Sequence, residues 1–359
     1  SKKILKPAFL FSAVKTDRYR YISLAPAAGY NQYDQFMLGG MIHNFNLPKN
    51  NFQFLFIPLY AIGSKSMQGL GRVSYSWNPG RNFRKITIGL NGSRFSMNYA
   101  KDSTGSALFE GFSKLVPYIR FDFKKRSPRG TREKWMDFKF YLINEKQFTG
   151  YAVSAKDSLI HPNSTSGSFR YLNQWSINVR DGRVLYPYDA RLELQQSDLF
   201  YRVNLSAHYF FNYPSGGGMS LRFFAAKFGV WNSNNRPDLS RYEPKLLGET
   251  GNEDYTYGQY FIGRSASYAI ENTSVPNAGL SAQQIMIRDG GLKLRIDPYD
   301  YVQGRSANWI SALNFSTTLP AKLFPVPIPI RIFFDIGTYA EAWKTNAQTS
   351  RFLYTGCIQ

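Results

Sequence analysis

The sequence predicts an all-β fold, an antiparallel up-and-down transmembrane β-barrel of roughly 14 to 16 strands. Three observations support this fold class. Apolar and polar residues alternate in runs of strand length, turn-forming residues separate the runs, and no apolar run reaches the roughly 18 residues that a membrane-spanning helix needs. Only helices and closed barrels pair all their backbone polar groups inside a bilayer, so strands are the elements that would cross it.

Aromatic residues are unusually frequent. The 359 residues include 25 Tyr, 29 Phe and 6 Trp, and the chain is 17% aromatic against 19% charged. This profile is typical of chains that expose aromatic side chains to lipid. The mean hydropathy of −0.36 resembles that of a soluble protein, but the lumen-facing and lipid-facing residues of a barrel alternate and cancel in such an average.

The chain carries a formal net charge of +20, from 44 Lys and Arg against 24 Asp and Glu. Such an excess of cations first suggests nucleic acid as a partner. The basic residues are spread along the whole chain, however, and mostly alternate with apolar ones, which fits a polar lumen or loops that face anionic headgroups. We therefore expect outer-membrane lipid, including anionic headgroups, as a partner and no nucleic acid.

The clearest strand covers residues 200–211. Its apolar face consists of Tyr201, Val203, Leu205, Ala207, Tyr209 and Phe211, and its polar face of Arg202, Asn204, Ser206 and His208. A strand of about 11 residues can cross a bilayer at a tilt. Residues 213–218 then supply a glycine-rich turn.

The same alternation recurs along the chain. It is clear in residues 115–123, 136–142 and 190–195, and further runs lie near residues 36–46, 51–62, 67–78, 168–181, 218–231, 256–271, 281–297, 307–319, 328–342 and 350–359. Adjacent long strands that are joined by short turns predict antiparallel neighbours in chain order.

Residues 83–99 allow two interpretations, because the apolar positions change parity between Leu90 and Phe95. Asn91 and Gly92 could form the turn of a two-residue hairpin, but its strands would be too short to span a bilayer. We expect one long strand with a bulge at Gly92.

The predicted domain organisation is simple. Residues 1–35 form a periplasmic lead-in or a first strand, and residues 36–359 form the barrel. Residues 232–256 are the longest polar insertion and are predicted to be an external loop. The N-terminus lacks the features of a signal peptide, and residues 355–359 end within a strand-like run, so the sequence is expected to be a processed or truncated form of a longer protein.

No catalytic constellation is recognisable. The three histidines, His43, His161 and His208, lie far from one another in sequence, and none is part of a zinc-binding motif. Cys357 is the only cysteine, which excludes an intrachain disulfide and a cysteine-based metal site. We predict no catalytic residue, no metal and no cofactor, and therefore no enzyme activity for this chain.

A group of charged residues is predicted to face the lumen and to bind or gate there. Asp335 follows Arg331 by four residues on one strand face, which allows the two to interact. An inward charge cluster can gate a pore or tie the strands to a plug or loop, and the structural role is favoured. The predicted cluster comprises Arg191, Arg202, His208, Arg288, Arg295, Arg331 and Asp335.

Several segments carry a resemblance to known families. Residues 33–45, 279–294, 304–309 and 330–338 resemble the C-terminal barrel region of large Gram-negative outer-membrane proteins whose N-terminal part is similar to gluzincin-type zinc aminopeptidases. The resemblance implies a barrel that anchors a peptidase-like domain, whose zinc ligands and catalytic Glu have no counterpart here. A second, weaker resemblance rests on residues 38–40 and 334–337 and is to the surface-antigen barrels that assemble or translocate outer-membrane proteins.

Three hypotheses about function follow. The chain is an outer-membrane anchor for a periplasmic or surface domain, with a lumen blocked by side chains. Alternatively it is a transport or assembly barrel, which would show conductance or a weak lateral seam between its first and last strands. The third alternative is a soluble β-rich binding module, which the length of strands such as 200–211 disfavours, although alternation alone does not distinguish a lipid-facing surface from a soluble core.

Overall fold

The residues that the structure describes form one 15-stranded sheet in which the strands neighbour each other in chain order. The computed structural model describes residues 4–9, 19–31, 33–45, 49–154, 158–214, 216–231, 238–246, 254–258, 289–292, 304–318, 330–347 and 350–358. The predicted runs at 256–271 and 281–297 lie largely outside these residues. Within the described residues, no helix is both long enough and apolar enough to span a membrane.

Most strands overlap a predicted run, but two strands lie within residues 1–35, for which a lead-in or one strand was predicted, and the strands at the runs 115–123, 136–142 and 168–181 are longer than predicted. The strands are β1 (Ile4–Phe9), β2 (Tyr19–Asn31), β3 (Gln35–His43), β4 (Phe52–Ala61), β5 (Ser66–Trp77), β6 (Phe83–Lys101), β7 (Ala107–Phe123), β8 (Arg132–Val153), β9 (Ile160–Asp181), β10 (Tyr188–Gln196), β11 (Phe200–Asn212), β12 (Gly218–Val230), β13 (Trp309–Thr318), β14 (Arg331–Tyr339) and β15 (Leu353–Ile358). A short 3-10 helix, Ala340–Trp343, follows β14.

Every pair from β2 to β15 is antiparallel, which confirms the predicted up-and-down sheet. β1 is the exception, because it pairs with β2 in parallel, with Ile4 opposite Tyr19 and Phe9 opposite Leu24. The prediction of a wholly antiparallel sheet is therefore wrong at β1. Residues 1–35 have no sustained alternation from which the direction of such a short strand could be predicted.

The ambiguous segment is one strand of 19 residues, β6, as predicted. The bulge, however, is not at Gly92, which pairs in regular register with Gly71 and Leu115. The irregularities against β7 lie between Phe83 and Lys85 and between Ser96 and Asn98. Neither irregularity causes the change of parity between Leu90 and Phe95, because Phe95 lies on the buried face and is 1% exposed. The second irregularity rotates only the later side chains, so that Tyr99 is 43% exposed.

Strand length varies strongly around the sheet. β8 and β9 have 22 residues each, whereas β10 has 9 and the terminal strands β1 and β15 have 6 each. Asn173 of β9 pairs with Gln196, the last residue of β10. Residues 160–172 of β9 therefore extend past the end of β10, at the end of the sheet where the long connection from β12 to β13 also lies. We call this the loop end and the opposite end the turn end.

The two faces of the sheet have opposite character. An outer row runs across five strands through Phe121, Met136, Ile177, Leu192 and Leu205, and the last three of these side chains are 40–53% exposed. One residue along each strand, an inner row follows with mostly buried polar side chains: Arg120, Asp137, Ser176, Glu193 and Asn204. The sheet thus exposes its apolar face and buries its polar face.

Candidate functional site

The buried polar face encloses chain from the connection between β12 and β13. We use the term inserted segment for its described parts, residues 238–246, 254–258, 289–292 and 304–306. Leu239, Leu246, Tyr255 and Tyr257 are at most 6% exposed and belong to the cores of the molecule. The prediction that residues 232–256 form an external loop is therefore wrong for the described part of that range, since apolar side chains dispersed in a polar sequence hold it inside the lumen.

Arg202 of β11 is the centre of one lumen network and is fully buried. Its Nη2 donates to the Asp289 carboxylate, and its Nη1 donates at 3.2 Å both to the Tyr242 carbonyl and to the Tyr255 hydroxyl. Its Nε donates to Asn204 Oδ1 on the same strand at 2.9 Å. One strand side chain thereby holds three residues of the inserted segment, and the carboxylate neutralises a guanidinium that water does not reach.

The Asp289 turn is held from its other side by backbone and by β12 and β13. Asp289 Oδ2 accepts from the Lys245 backbone N–H at 3.1 Å. Arg222 of β12 donates to the backbone carbonyls of Asp289 and Gly290 and to Asn314 Oδ1 at 2.8 Å. The amide of Asn314, on β13, donates at 3.2 Å to the Gly291 carbonyl. The turn therefore has partners on three adjacent strands.

Asp335 of β14 completes this network and is fully buried. Asn314 Nδ2 donates to Asp335 Oδ1 at 3.2 Å, and Thr355 of β15 donates to Oδ2 at 3.5 Å. Two residues further along β14, Gly337 faces Leu246 so closely that a Cβ there would lie 2.6 Å from a Leu246 methyl carbon. Because glycine has no side chain, the inserted segment can pack directly against β14 at this position.

A second network surrounds Glu145 of β8, whose side chain is 5% exposed. Its carboxylate accepts from Arg170 Nη2 of β9 at 2.6 Å, from Arg241 Nη1 at 3.0 Å and from the Tyr257 hydroxyl at 2.7 Å. Arg241 and Tyr257 belong to the inserted segment and also contact each other, at 2.9 Å. The buried carboxylate is therefore compensated by two guanidinium groups and a phenol.

Tyr257 is fixed by both its ring and its backbone. The ring stacks on Phe112 of β7 with centroids 4.1 Å apart and planes at 8°. Lys114 of β7 donates from Nζ to the carbonyls of Thr256, at 3.2 Å, and Tyr257. Burial raises the pKa of the Tyr257 phenol well above its usual value, against the opposing effect of Arg241. The phenol therefore stays protonated and donates to Glu145 at physiological pH.

The structure places the predicted lumen cluster in several different environments. Arg202 and Asp335 are buried in the network just described. Arg191 shares the inner parity of β10 and contacts Glu193, with 43% of its side chain exposed. His208 contacts Ser220 Oγ at 2.7 Å and lies 3.4 Å from Asp189, and Arg331 is the exposed first residue of β14. The remaining two, Arg288 and Arg295, lie outside the described residues.

Sequence reasoning missed most of the residues that hold the inserted segment. Glu145 and Lys114 lie at alternating strand positions and show no signal that separates them from other lumen residues. Asp289 precedes Gly290 and Gly291, a pattern that predicts a tight turn or bulge and does not identify a partner for Arg202. The insertion itself contains one detectable signal. Tyr255 and Tyr257 are two residues apart, which is the spacing of side chains on one face of a strand.

The geometry of the two networks holds the inserted segment in place. Each charged group in the two networks contacts an opposite charge, a backbone carbonyl or an amide. Within the described residues, no three His, Cys, Asp or Glu side chains come together as a metal ligand set. The site is therefore a docking site for the inserted segment inside the lumen.

Comparisons with known proteins found structural similarity only, because no family model and no curated protein matches the chain. BamA from Haemophilus ducreyi lacking POTRA domains 1-3 has 10% identity and a TM-score of 0.45, with 97% of this chain and 67% of that chain covered. CdiB from Acinetobacter baumannii has 10% identity and a TM-score of 0.39, with 95% and 55% covered.

Both TM-scores lie below 0.5, so these neighbours carry no argument about activity. The resemblance of the sequence to barrels that carry peptidase-like domains finds no support in either comparison.

Proposed function

We propose that the protein is a β-barrel of the Gram-negative outer membrane, of the transport or protein-assembly class, which keeps its lumen closed with the inserted segment. The proposal rests on one observation. Along each strand, the apolar side chain of the outer row and the polar side chain of the inner row are adjacent residues that point to opposite faces of the sheet. A soluble β-protein buries its apolar face and solvates its polar one. In this sheet the apolar face is exposed and the polar face is buried, which is the arrangement that lipid on the outside and a polar lumen on the inside require.

The orientation follows from the connections. Outer loops of such barrels are long and periplasmic turns are short. The connection from β12 to β13 spans residues 231–308, whereas the turn between β5 and β6 spans residues 78–82. We therefore assign the loop end to the cell surface and the turn end to the periplasm.

An open diffusion pore does not fit the lumen. The inserted segment binds residues of β7 to β13, including Lys114, Glu145, Arg202 and Asn314. Cargo could pass or insert only if the segment were released or the ends of the sheet separated. A closed resting state with a conditional opening is the behaviour that this geometry supports.

The terminal strands favour an assembly or transport role over a passive anchor. Among the described residues, β1 pairs with β2 alone and β15 with β14 alone. A strand that is paired on one side opens more readily than β8 and β9, which are 22 residues long and paired on both sides, because fewer hydrogen bonds are lost. A passive anchor also tolerates a closed lumen but needs no such seam.

The first test is the location of the protein. Expression with a secretion signal, followed by fractionation and gel migration of unheated and heated samples, should give an outer-membrane protein that migrates faster when it is not heated. Soluble, monomeric protein in the absence of detergent would contradict the proposal. It would favour the binding-module hypothesis.

The second test separates the assembly or transport role from an anchor. Hydrogen exchange of the detergent-solubilised protein should show the amides of β1 and β15 exchanging at least about tenfold faster than the amides of β8 and β9. Conductance in planar bilayers should be low at rest. Uniformly slow exchange across all strands, together with no conductance under any condition, would favour the anchor.

A further inference from the structure

Positive charge is concentrated at the turn end of strands β5 to β10. Residues 78–85, 124–134 and 180–189 contain eleven Lys and Arg side chains and three carboxylates, a net charge of +8 out of +20 for the chain. Three turns at the loop end differ, since those between β2 and β3, β6 and β7, and β10 and β11 contain Asp34, Asp102 and Asp198 and no Lys or Arg. The remaining loop-end connections are not free of cations, and the one between β4 and β5 contains Lys65. The cations are therefore denser at the turn end of β5 to β10 than in these loop-end turns.

The three basic turns form one continuous surface, which we call the basic platform. The Lys124 backbone N–H donates to the Asn82 carbonyl at 3.0 Å, which joins the first turn to the second. The Gly182 N–H donates to the Thr131 carbonyl at 3.4 Å, which joins the second turn to the third. The cations of three strand connections consequently act on one ligand surface.

Much of this charge is not neutralised by the protein. Lys125 contacts Glu133 at 3.0 Å, but Arg126 and Arg129 are exposed, and no carboxylate of the described residues lies within salt-bridge distance of either. Nearby cations raise each other's electrostatic energy, and a polyanion relieves it. The platform therefore has the charge of a binding surface for anionic groups.

The platform borders the apolar outer face directly. Phe83 packs against Phe121 and Phe123 with ring centroids 5.3 and 5.2 Å apart, and Phe121 belongs to the outer row. Lys124 is the next residue after Phe123. Aromatic side chains at the edge of the apolar band mark the membrane interface, so the cations beside them lie at the level of the lipid phosphates.

The third turn adds exposed apolar side chains to the charge. Val184 is 90% exposed and Leu185 58% exposed, between Arg183 and the start of β10. Cations combined with exposed aliphatic side chains are typical of segments that lie in the headgroup region of anionic membranes. An acidic protein surface would explain the cations but not the proximity to the outer-face aromatics.

We propose that the basic platform binds the phosphate groups of acidic glycerophospholipids in the leaflet at the turn end. This inference rests on the proposed membrane location and names the lipid that one end of the barrel selects. Lys124, Arg126 and Arg129 are the side chains that we expect to contribute most, because all three are exposed. The selectivity is electrostatic and decreases as salt screens the charges.

The test uses the chain reconstituted in phosphatidylcholine vesicles with trace spin-labelled phosphatidylglycerol or phosphatidylcholine. Electron paramagnetic resonance measures how much of each labelled lipid the protein immobilises. We expect phosphatidylglycerol to associate about threefold more strongly with the unmodified chain. The ratio should approach one in the variant Lys124→Gln, Arg126→Gln, Arg129→Gln and in high salt.

A matched control removes three exposed lysines towards the other end: Lys101→Gln, Lys146→Gln and Lys344→Gln. Its lipid ratio should equal that of the unmodified chain. The proposal is overturned if the unmodified chain shows a ratio near one, or if both triple variants lose selectivity equally, since net charge alone would then explain it. A chain that immobilises neither lipid and shows no heat-dependent migration refutes the membrane location itself, which is a distinguishable result.

Discussion

Removal of the Arg202 guanidinium should release the inserted segment. In the variant Arg202→Leu, the Asp289 carboxylate, which is 1% exposed, would remain buried without its cation. Loss of one partner of a buried ion pair typically costs about 3–5 kcal/mol. Since 1.4 kcal/mol corresponds to a factor of ten, the equilibrium between docked and released segment should shift by roughly 100-fold to 4000-fold.

The assay is the labelling rate of a buried reporter. Ser306, in the inserted segment, is 1% exposed and is replaced by Cys in a background that carries Cys357→Ser. A maleimide reacts only when the segment is released, so its rate reports the released fraction. We expect the rate to rise in proportion to the shift in the equilibrium, and the bilayer conductance to rise with it.

Two further variants make the test specific. Arg191→Gln removes a lumen cation whose side chain is 43% exposed and should change the rate little, because exposed ion pairs contribute weakly. Addition of Asp289→Leu to Arg202→Leu should restore much of the docking, because the buried carboxylate is then absent. Labelling of Arg202→Leu within twofold of the parent would refute the docking role of this network.

Three other perturbations have definite expected outcomes. Tyr257→Phe removes a hydrogen bond to the buried Glu145 carboxylate and should lower the free energy of unfolding in detergent by about 1.5–3 kcal/mol. Gly39→Ala places a Cβ 2.0 Å from a backbone oxygen of β4 and should lower folding stability by about 1–3 kcal/mol. The neighbouring variant Gly40→Ala should be tolerated, because its Cβ would have no atom closer than 3.7 Å. Leu205→Arg on the outer row should destabilise the folded protein in lipid vesicles by about 2–4 kcal/mol.

Each of these outcomes has a contradicting result. The control for Tyr257→Phe is Tyr242→Phe, which also keeps a ring in the inserted segment. The hydroxyl that it removes has no hydrogen bond in the described part of the chain. An equal decrease in the free energy of unfolding in both variants would show that the Glu145 contact does not contribute to stability. Equal stability of the two glycine variants would contradict the close approach of β3 and β4. A neutral Leu205→Arg, measured beside Leu205→Ala, would contradict a lipid-facing outer row, because an exposed leucine in water tolerates arginine.

The strands were predictable because a single local rule determines them. The alternation in residues 200–211 predicts both β11 and its two faces, since successive side chains of a strand point in opposite directions. The rule fails where an extra residue shifts the parity, as it does between Ser96 and Asn98. The change of parity that the sequence shows before Phe95 comes from an aromatic residue on the buried face, whereas the position of the bulge depends on the register of the neighbouring strand.

The lumen site was not predictable to the same degree because its contacts are distant in sequence. Arg202 and Asp289 are 87 residues apart, and Glu145 and Tyr257 are 112 apart. Alternation identifies Arg202 as lumen-facing but contains no information about which chain segment it meets. The polar composition of residues 232–256 favours an external loop, and only the tertiary structure reveals that its apolar minority is buried.

The two lumen networks are mechanically connected through one residue, and this connection links the lumen to the seam. Tyr255 accepts a hydrogen bond from Arg170 of β9 at its carbonyl, and its hydroxyl contacts Gln195 of β10 and Arg202 of β11. The Arg202 network continues through β12 and β13 to Asp335 on β14, the neighbour of the terminal strand β15. Under the proposed function, a docked segment would therefore stabilise from within the strands that move when the seam opens, and closure of the lumen and closure of the seam would reinforce each other.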